Sequence, residues 1–402
     1  MYRQSVLISG AGIAGPTLAY WLCRCGFQPT VVERAPQLRT GGYVIDFWGL
    51  GYDIAEKMGL LPELRKIGYD IRELRIVDSR GHKIGGFDVS VFRALTDGRF
   101  LSLRRGDLAE ALYKAVANQC EFVFDDTITS LAQDRDGVQV RFQSGREHRY
   151  DFVVGAGGQH SVVRALAFGD EGMYEKYLGY MVAAFEVSGY RPRDENVYVG
   201  HAIPGCQVSR FSMRDDRTVF LFVYAADRPP AISGHDGKAQ RAVLRSRFGD
   251  VGWECPQILA ALDKSDELYF DAVSQIRMDR WSNGRTVLLG DAAFCPSLLA
   301  GQGSALAMTG AYVLAGELNR YDASQGGAFE RYEGLLRSFM HQKQEAARRF
   351  ARSFVPKTAS GLFLRNQMTK LFGIPGLAKL AMGPSLLDKL RLPTYEWHSS
   401  ST

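Results

Sequence analysis

The sequence predicts an α/β protein in which a discontinuous sheet domain is interrupted by an antiparallel sheet and followed by a helical C-terminal extension. Three observations point there. A strand, a glycine loop, a helix and a second strand open the chain; two more short apolar strands far downstream also run into glycine; and four closely spaced strands lie between them.

Val6-Leu7-Ile8 reads as a fully apolar strand, Gly10 to Gly15 as a turn, Thr17 to Cys25 as a helix ended by Gly26, and Pro29 to Val32 as the next strand. Glu121 to Phe124, Asp126 to Leu131 and Val138 to Phe142 alternate with period two around a turn at Asp134-Arg135-Asp136-Gly137 and read as a hairpin. Asp151 to Val154 and Thr286 to Leu289 are the two downstream apolar strands, which suggests one sheet assembled from distant segments. Val182 to Val187, Val197 to Ile203, Gln207 to Met213 and Thr218 to Tyr224 predict the antiparallel sheet. Gly303 to Asn319 and Ala328 to Phe350 follow with helical spacing, the latter through Phe329, Tyr332, Leu336, Phe339 and Met340. These boundaries give a first domain from residues 1–72, 98–170 and 278–350, a second from 73–97 and 171–277, and a C-terminal helical bridge over 351–402.

Composition excludes several classes. With 402 residues, 46% hydrophobic and 23% charged, the chain holds enough apolar material for an ordered two-domain core. A net charge of +5 is too small to suggest a nucleic-acid partner. The six cysteines show neither CxxC pairs nor histidines at zinc spacing, so no metal is expected and a reduced, cytoplasmic setting fits. The N-terminus lacks a long apolar h-region and does not read as a signal peptide, and no segment has the roughly 18 apolar residues of a spanning helix. A monomer is expected.

Gly10-Ala11-Gly12-Ile13-Ala14-Gly15 matches GxGxxG between a strand and a helix, and Glu33 ends the second strand 18 residues beyond Gly15. This is the context of a Rossmann-like dinucleotide site. The first glycine permits the turn, the second lets a pyrophosphate approach the backbone, the third lets helix and strand pack, and the helix N-terminus faces the phosphate charge. Glu33 is placed to accept ribose hydroxyls, with Arg34 beside it.

Arg105-Gly106-Asp107-Leu108, Gly155 to Arg164, Arg285 through Gly290-Asp291-Ala292-Ala293, and Pro296 to Gly301-Gln302-Gly303 follow in an order that resembles the FAD-dependent aromatic hydroxylases, the single-component flavin monooxygenases related to para-hydroxybenzoate hydroxylase. The segment Gly41-Gly42 to Asp46, the run Tyr269 to Val273 and Gly310 to Leu318 are similar to the branch with tetracycline-inactivating enzymes. The resemblance covers nearly the whole chain. It implies FAD held by Gly10, Gly12, Ala14, Gly15, Glu33, Arg34, Arg105, Asp291, Pro296, Gly301, Gln302 and Gly303. Within that set Asp291 meets the ribityl hydroxyls, and the glycines before the following helix meet the flavin edge that gains negative charge on reduction.

It further implies an NAD(P)H-dependent monooxygenase that consumes O2 and hydroxylates an aromatic or polycyclic, tetracycline- or polyketide-like small molecule through a flavin C4a-hydroperoxide. A reductase or dehydrogenase on the same scaffold, or a non-catalytic ligand-sequestering flavoprotein, are the alternatives. No catalytic acid or base is assigned. Phe47, Trp48, Phe185, Phe211, Phe222, Tyr224, Pro296 and Leu298 are the candidate substrate contacts, on the expectation that the pocket lies where the domains meet.

Three departures from the family pattern stand out. Gly157-Gly158 replaces the usual Asp-Gly, Phe294 replaces a His, and Thr309-Gly310 replaces Asp-Ala. The loop at Gly157 is expected to be satisfied by backbone or water.

Residues 351–402 carry seven Lys+Arg and two Asp+Glu, so the tail accounts for the whole charge excess. With apolar clusters at Leu362-Phe363-Leu364, Leu371-Phe372, Leu377, Leu380 and Leu386-Leu387, it is expected to pack an apolar side on the body and to serve as a gate or brace rather than a membrane-surface anchor.

Overall fold

The computed structural model describes residues 4–39, 43–232, 236–320, 327–373 and 388–397. The Gly41-Gly42 turn and the clusters at Leu377, Leu380 and Leu386-Leu387 lie outside these residues. The chain begins β1 (Ser5–Ser9), α1 (Ala14–Arg24), β2 (Gln28–Glu33), β3 (Val44–Trp48), α2 (Leu50–Lys57), α3 (Leu61–Ile67), β4 (Glu73–Val77), β5 (Lys83–Asp88), α4 (Ser90–Leu95), β6 (Phe100–Arg104) and α5 (Arg105–Lys114). It continues β7 (Glu121–Phe124), β8 (Ile128–Gln133), β9 (Val138–Phe142), β10 (Glu147–Tyr150), β11 (Phe152–Gly155), α6 (Val162–Phe168), β12 (Glu175–Ser188), β13 (Val197–Ile203), β14 (Cys206–Ser212) and β15 (Arg217–Ala225). It ends α7 (Gly237–Phe248), α8 (Cys255–Leu262), β16 (Leu268–Ile276), β17 (Ser282–Asn283), β18 (Thr286–Leu288), α9 (Asp291–Phe294), α10 (Gly303–Arg320), α11 (Gly327–Phe354) and α12 (Ala359–Leu371).

The short apolar strands form one sheet because each is buried on both faces. Its order is β17-β18-β11-β1-β2-β7, with β18, β11, β1, β2 and β7 parallel, so segments from residues 5 to 288 meet side by side. Helices α1 and α10 pack together beside this sheet. One assignment changes. Glu121 to Phe124 pairs in parallel with β2, while β8 and β9 form the hairpin, which β10 extends to three strands.

The second sheet has seven strands in the order β16-β12-β15-β14-β13-β4-β5, antiparallel except where β13 meets β4. Its period-two side chains serve two layers. Ala183, Phe185, Phe220, Phe222 and Tyr224 pack outward under α7 and α8 with Leu244, Phe248, Ile258 and Leu262. Val182 and Val223 face the other way and pack with Leu299, Ala351 and Val355. A two-strand ribbon of β3 and β6 lies on that inner side: Phe211, Met213 and Val219 pack with Phe100, Val44, Trp48 and Tyr69.

The C-terminal segment touches both sheets' layers. Thr369 Oγ1 accepts the Gly86 N–H at 3.1 Å, so α12 sits on β5. Further on, Tyr395 OH donates to Glu317 Oε1 at 2.7 Å and Trp397 packs on Trp21 with ring centroids 4.4 Å apart, so residues 388–397 return to α10 and α1 without forming a helix. The expected apolar packing of this tail is inverted in α12, where Asn366 and Thr369 are buried and Phe363 and Leu364 are exposed.

Candidate functional site

The glycine loop has the shape its spacing predicts. Gly10 has φ +118°, and a Cβ there would stand 2.5 Å from Ala156 O; a Cβ on Gly15 would stand 2.0 Å from Gly10 O. Either side chain would break the turn. At Gly12 the only heavy atom of the described residues near a Cβ is Arg105 Nη2, at 3.5 Å, so the loop's open side faces a guanidinium. Helix α1 starts at Ala14 with no side-chain cap and no acid in its first turn, which leaves its N-terminal N–H groups and positive end toward the same space. Uncapped N–H groups, a missing Cβ and a cation together fit a pyrophosphate.

Glu33 holds this loop: its Oε2 accepts the Ala11 N–H at 2.9 Å and its Oε1 the Ala35 N–H at 2.9 Å. Arg34 beside it is exposed. Gly290, at φ +66°, turns the chain after β18 so closely that a Cβ there would lie 3.2 Å from Ala14 Cβ and 3.4 Å from Ala307 Cβ. The Asp291 turn, the glycine loop and α10 are thereby locked to one another. A Cβ on Gly303 would meet Asp291 Oδ1 and Oδ2 at 3.6 and 3.8 Å, so the carboxylate stands at the start of α10. Burial raises the Asp291 carboxyl above the ordinary range and the Arg105 charge pulls it back down.

Between them runs the loop Cys295 to Gln302. Ser297 takes φ +110°, rare for a residue with a side chain, and Gly301 takes φ +65° with nothing among the described residues within 4 Å of a Cβ. Two buried glutamines hold this bend. Gln275 Nε2 donates to Pro296 O at 2.9 Å, and Gln344 Nε2 donates to Cys295 O at 3.2 Å and Ile276 O at 2.7 Å. Gln302 and Gly303 are half-buried at the α10 N-terminus.

Gly12, Ala14, Arg105, Asp291 and Gly303 thus come together, Arg34 stays exposed just after β2, and the predicted substrate residues separate. Trp48 and Phe211 face the space between β3 and the inner side of the seven-stranded sheet, where Trp48 stacks on Phe100 and Phe211 packs edge-on to Tyr69. Phe47, its neighbour on β3, necessarily points the other way and is in the first-domain core, 1% exposed. Phe185, Phe222 and Tyr224 are corrected likewise: they form the layer under α7 and α8, on the far side of the sheet from the loop at Pro296. Pro296 is buried with its carbonyl bonded, and Leu298 packs on the inner sheet face.

Several polar groups at this junction escaped the sequence reading. Asp46 lies opposite Ser102 across the ribbon, and Ser102 Oγ donates to Asp46 Oδ1 at 2.6 Å. Among the described residues Oδ2 has no hydrogen-bond partner, and burial pushes the carboxyl up to about 6. Tyr43 and Tyr269 stand 6.3 Å apart, and Tyr43 feels the charges of Arg105 and Asp291. Tyr269 OH donates to Asp271 Oδ2 at 3.2 Å, and His160 lies between Asp271 at 3.4 Å and Glu171 at 2.8 Å, which lifts its pKa to about 10. The available signal was alternation along Tyr269-Phe270-Asp271, which puts Tyr269 and Asp271 on one face and Phe270 on the other.

The loop with the unusual Gly157 is tied by Arg164 and Glu171 instead of by a carboxylate at position 157. Arg164, fully buried, donates to Ala292 O at 3.1 Å and to Gln159 O, and pairs with Glu171. A Cβ on Gly157 would find only ordinary contacts, the nearest being Ser161 Cα at 3.6 Å.

Residues 3–327 match the FAD binding domain family. A flavin-dependent monooxygenase from an unknown prokaryotic organism is 34% identical over 393 residues, which cover 97% of this chain and 98% of that protein. The structure of the tetracycline destructase Tet(55) is similar with a TM-score of 0.83 at 31% identity, covering 98% of this chain and 99% of the other. Klebsiella pneumoniae HpxO, solved with FAD and uric acid, shares the fold at a TM-score of 0.78 and 22% identity, covering 96% of each chain. No helix among the described residues is long and apolar enough to cross a membrane.

Proposed function

The chain belongs to the FAD-binding-domain family of flavin-dependent monooxygenases, as its motifs suggested, and from that premise we propose that it hydroxylates an aromatic or polycyclic substrate with NADH or NADPH as electron donor. The observation that carries the reading is the convergence of Gly12 with Arg105, of Gly303 with Asp291, and of the Arg105 charge on Asp291. Bound there, FAD would supply the redox chemistry and the activation of O2.

The chain's own residues do the rest. Arg105 and the α1 N-terminus would hold the pyrophosphate, Glu33 and Arg34 the adenosine end, and Asp291 the ribityl hydroxyls. The backbone N–H groups of Gly301, Gln302 and Gly303 at the α10 N-terminus would stabilise negative charge at the adjoining ring edge. Half-buried Trp48, Tyr69 and Tyr198 would offer flat apolar surface for a polycyclic ring, backed by the buried Phe100 and Phe211, and keep water away from it. Asp46, with Oδ1 fixed by Ser102, is placed to accept a hydrogen bond from a substrate phenol or enol through Oδ2. The likeness to Tet(55) puts tetracyclines first in a substrate screen, followed by anthraquinones and simple phenols.

A ligand-sequestering flavoprotein is the second reading, favoured by the absence of a carboxylate at Gly157. Rapid mixing with NADH and NADPH separates the two. Flavin bleaching that accelerates with substrate supports the enzyme, and flavin that never bleaches with either nucleotide, with or without ligand, rejects it.

A further inference from the structure

Helix α12 is docked inside out. Its fully buried residues are polar: Thr369 accepts the Gly86 N–H at 3.1 Å and Asn366 is buried, while Arg365 donates to Gln207 Oε1 at 2.6 Å and Phe354 O at 2.8 Å, and Phe372 at the C-terminal cap packs apolar surface on β5, against Phe87. Its outward residues are apolar. Phe363, Leu364, Met368 and Leu371 are 66, 62, 41 and 43% exposed, and Leu364, Met368 and Leu371 share one face at i, i+4 and i+7. Phe350, near the end of α11, is 46% exposed, so this corner holds most of the large apolar side chains the described residues leave in water. Such clustering marks a contact surface, since scattered exposed apolar residues are ordinary and contiguous ones are not.

Charge identifies the contact. From 346 to 373 the chain has Arg348, Arg349, Arg352, Lys357, Arg365 and Lys370 and no Asp or Glu. Arg348 pairs with Glu345, and Lys357 lies 3.9 Å from Asp227. Arg349, Arg352 and Lys370 are exposed with no carboxylate partner among the described residues. A second copy of the chain meeting this surface through its own would set basic groups against basic groups, whereas an anionic bilayer satisfies both the charges and the apolar face. In place of the gate or brace expected from the sequence, we infer that α12 and the end of α11 form a peripheral docking surface for anionic lipid, with Phe363, Leu364, Met368 and Leu371 entering the headgroup boundary and the Arg and Lys residues meeting lipid phosphates. This inference does not rest on the catalytic reading.

The test is flotation of the full-length, FAD-loaded protein with neutral phosphatidylcholine vesicles and with vesicles containing about one third phosphatidylglycerol, at low and high salt. The wild type is expected to float with the anionic vesicles and to come off in high salt. Phe363→Ser with Leu364→Ser, and separately Arg349→Gln with Arg352→Gln and Lys370→Gln, should each cut binding roughly tenfold or more while leaving flavin content and melting temperature unchanged. Wild type that stays with the vesicle-free fraction overturns the inference. So does vesicle binding that neither set of substitutions reduces, and so does concentration-dependent self-association, without vesicle binding, that the Phe363/Leu364 variant abolishes.

Discussion

Phe294 occupies the space that glycine leaves at Gly310: a Cβ on Gly310 would stand 3.0 Å from Phe294 Cζ and 2.8 Å from Leu289 Cδ1. Two departures from the family pattern are thus one packing solution. The larger ring after Gly290-Asp291 is accommodated by a smaller residue in α10, and the Asp291 turn keeps its place.

Gly310→Ala should destabilise the fold by roughly 1–3 kcal/mol through overpacking, despite alanine's better helix propensity. Adding Phe294→Leu should recover part of that loss. Denaturant unfolding of the two single variants and the double variant measures the coupling, and strictly additive losses would contradict the pairing.

Asp291→Ala should weaken FAD binding by about 1–3 kcal/mol, the range for removing one partner of a buried hydrogen bond. The fold should survive, because the turn is held by Gly290 against Ala14 and Ala307. Fluorescence titration of the apoprotein with FAD checks this, and unchanged affinity would remove Asp291 from the cofactor groove.

Asp46 gives a pH signature in two observables. Its folded pKa of about 6 lies above the unfolded value, so the folded state keeps a proton that the unfolded chain loses, and stability falls as pH rises from about 4 to about 6. Asp46→Asn should therefore gain on the order of 3 kcal/mol at pH 8 and nothing near pH 4. Turnover should move the opposite way, with the wild type losing activity below about pH 6 and the variant losing both activity and that limb of the profile. A variant with full activity at pH 8 would show that Asp46 does not meet the substrate.

His160, flanked by Glu171 and Asp271, has a folded pKa raised to about 10. Its contribution is fully present below the unfolded value near 6.5 and is lost as pH rises toward 10. Melting curves of wild type and His160→Asn should converge across that window, and a constant gap between them would show that the ion pairs contribute nothing.

Much of the groove was legible because its constraints are local. A glycine turn, an acid at a strand end and glycines before a helix each bring their own geometry, so Gly10 to Gly15, Glu33, Asp291 and Gly301 to Gly303 could be read by position. The substrate side was less legible because the seven-stranded sheet is buried on both faces. Aromatic residues under α7 and α8, such as Phe185 and Phe222, look in sequence like Phe211, which faces β3. Adjacent residues of one strand cannot share a wall, which separates Phe47 from Trp48. Strand partners were hidden too: Glu121 to Phe124 was recognisable as a strand, but only the assembled sheet places it beside β2.

The reaction proposed for this site is oxygen insertion into a bound ring. It is tested most directly by turning over the FAD-loaded protein with NADH or NADPH and a tetracycline, anthraquinone or phenol under isotopically labelled O2, and weighing the product. Oxygen insertion gives a product that has gained one labelled oxygen atom. Oxygen uptake yielding only hydrogen peroxide, or a product without the label, across the whole set would contradict it.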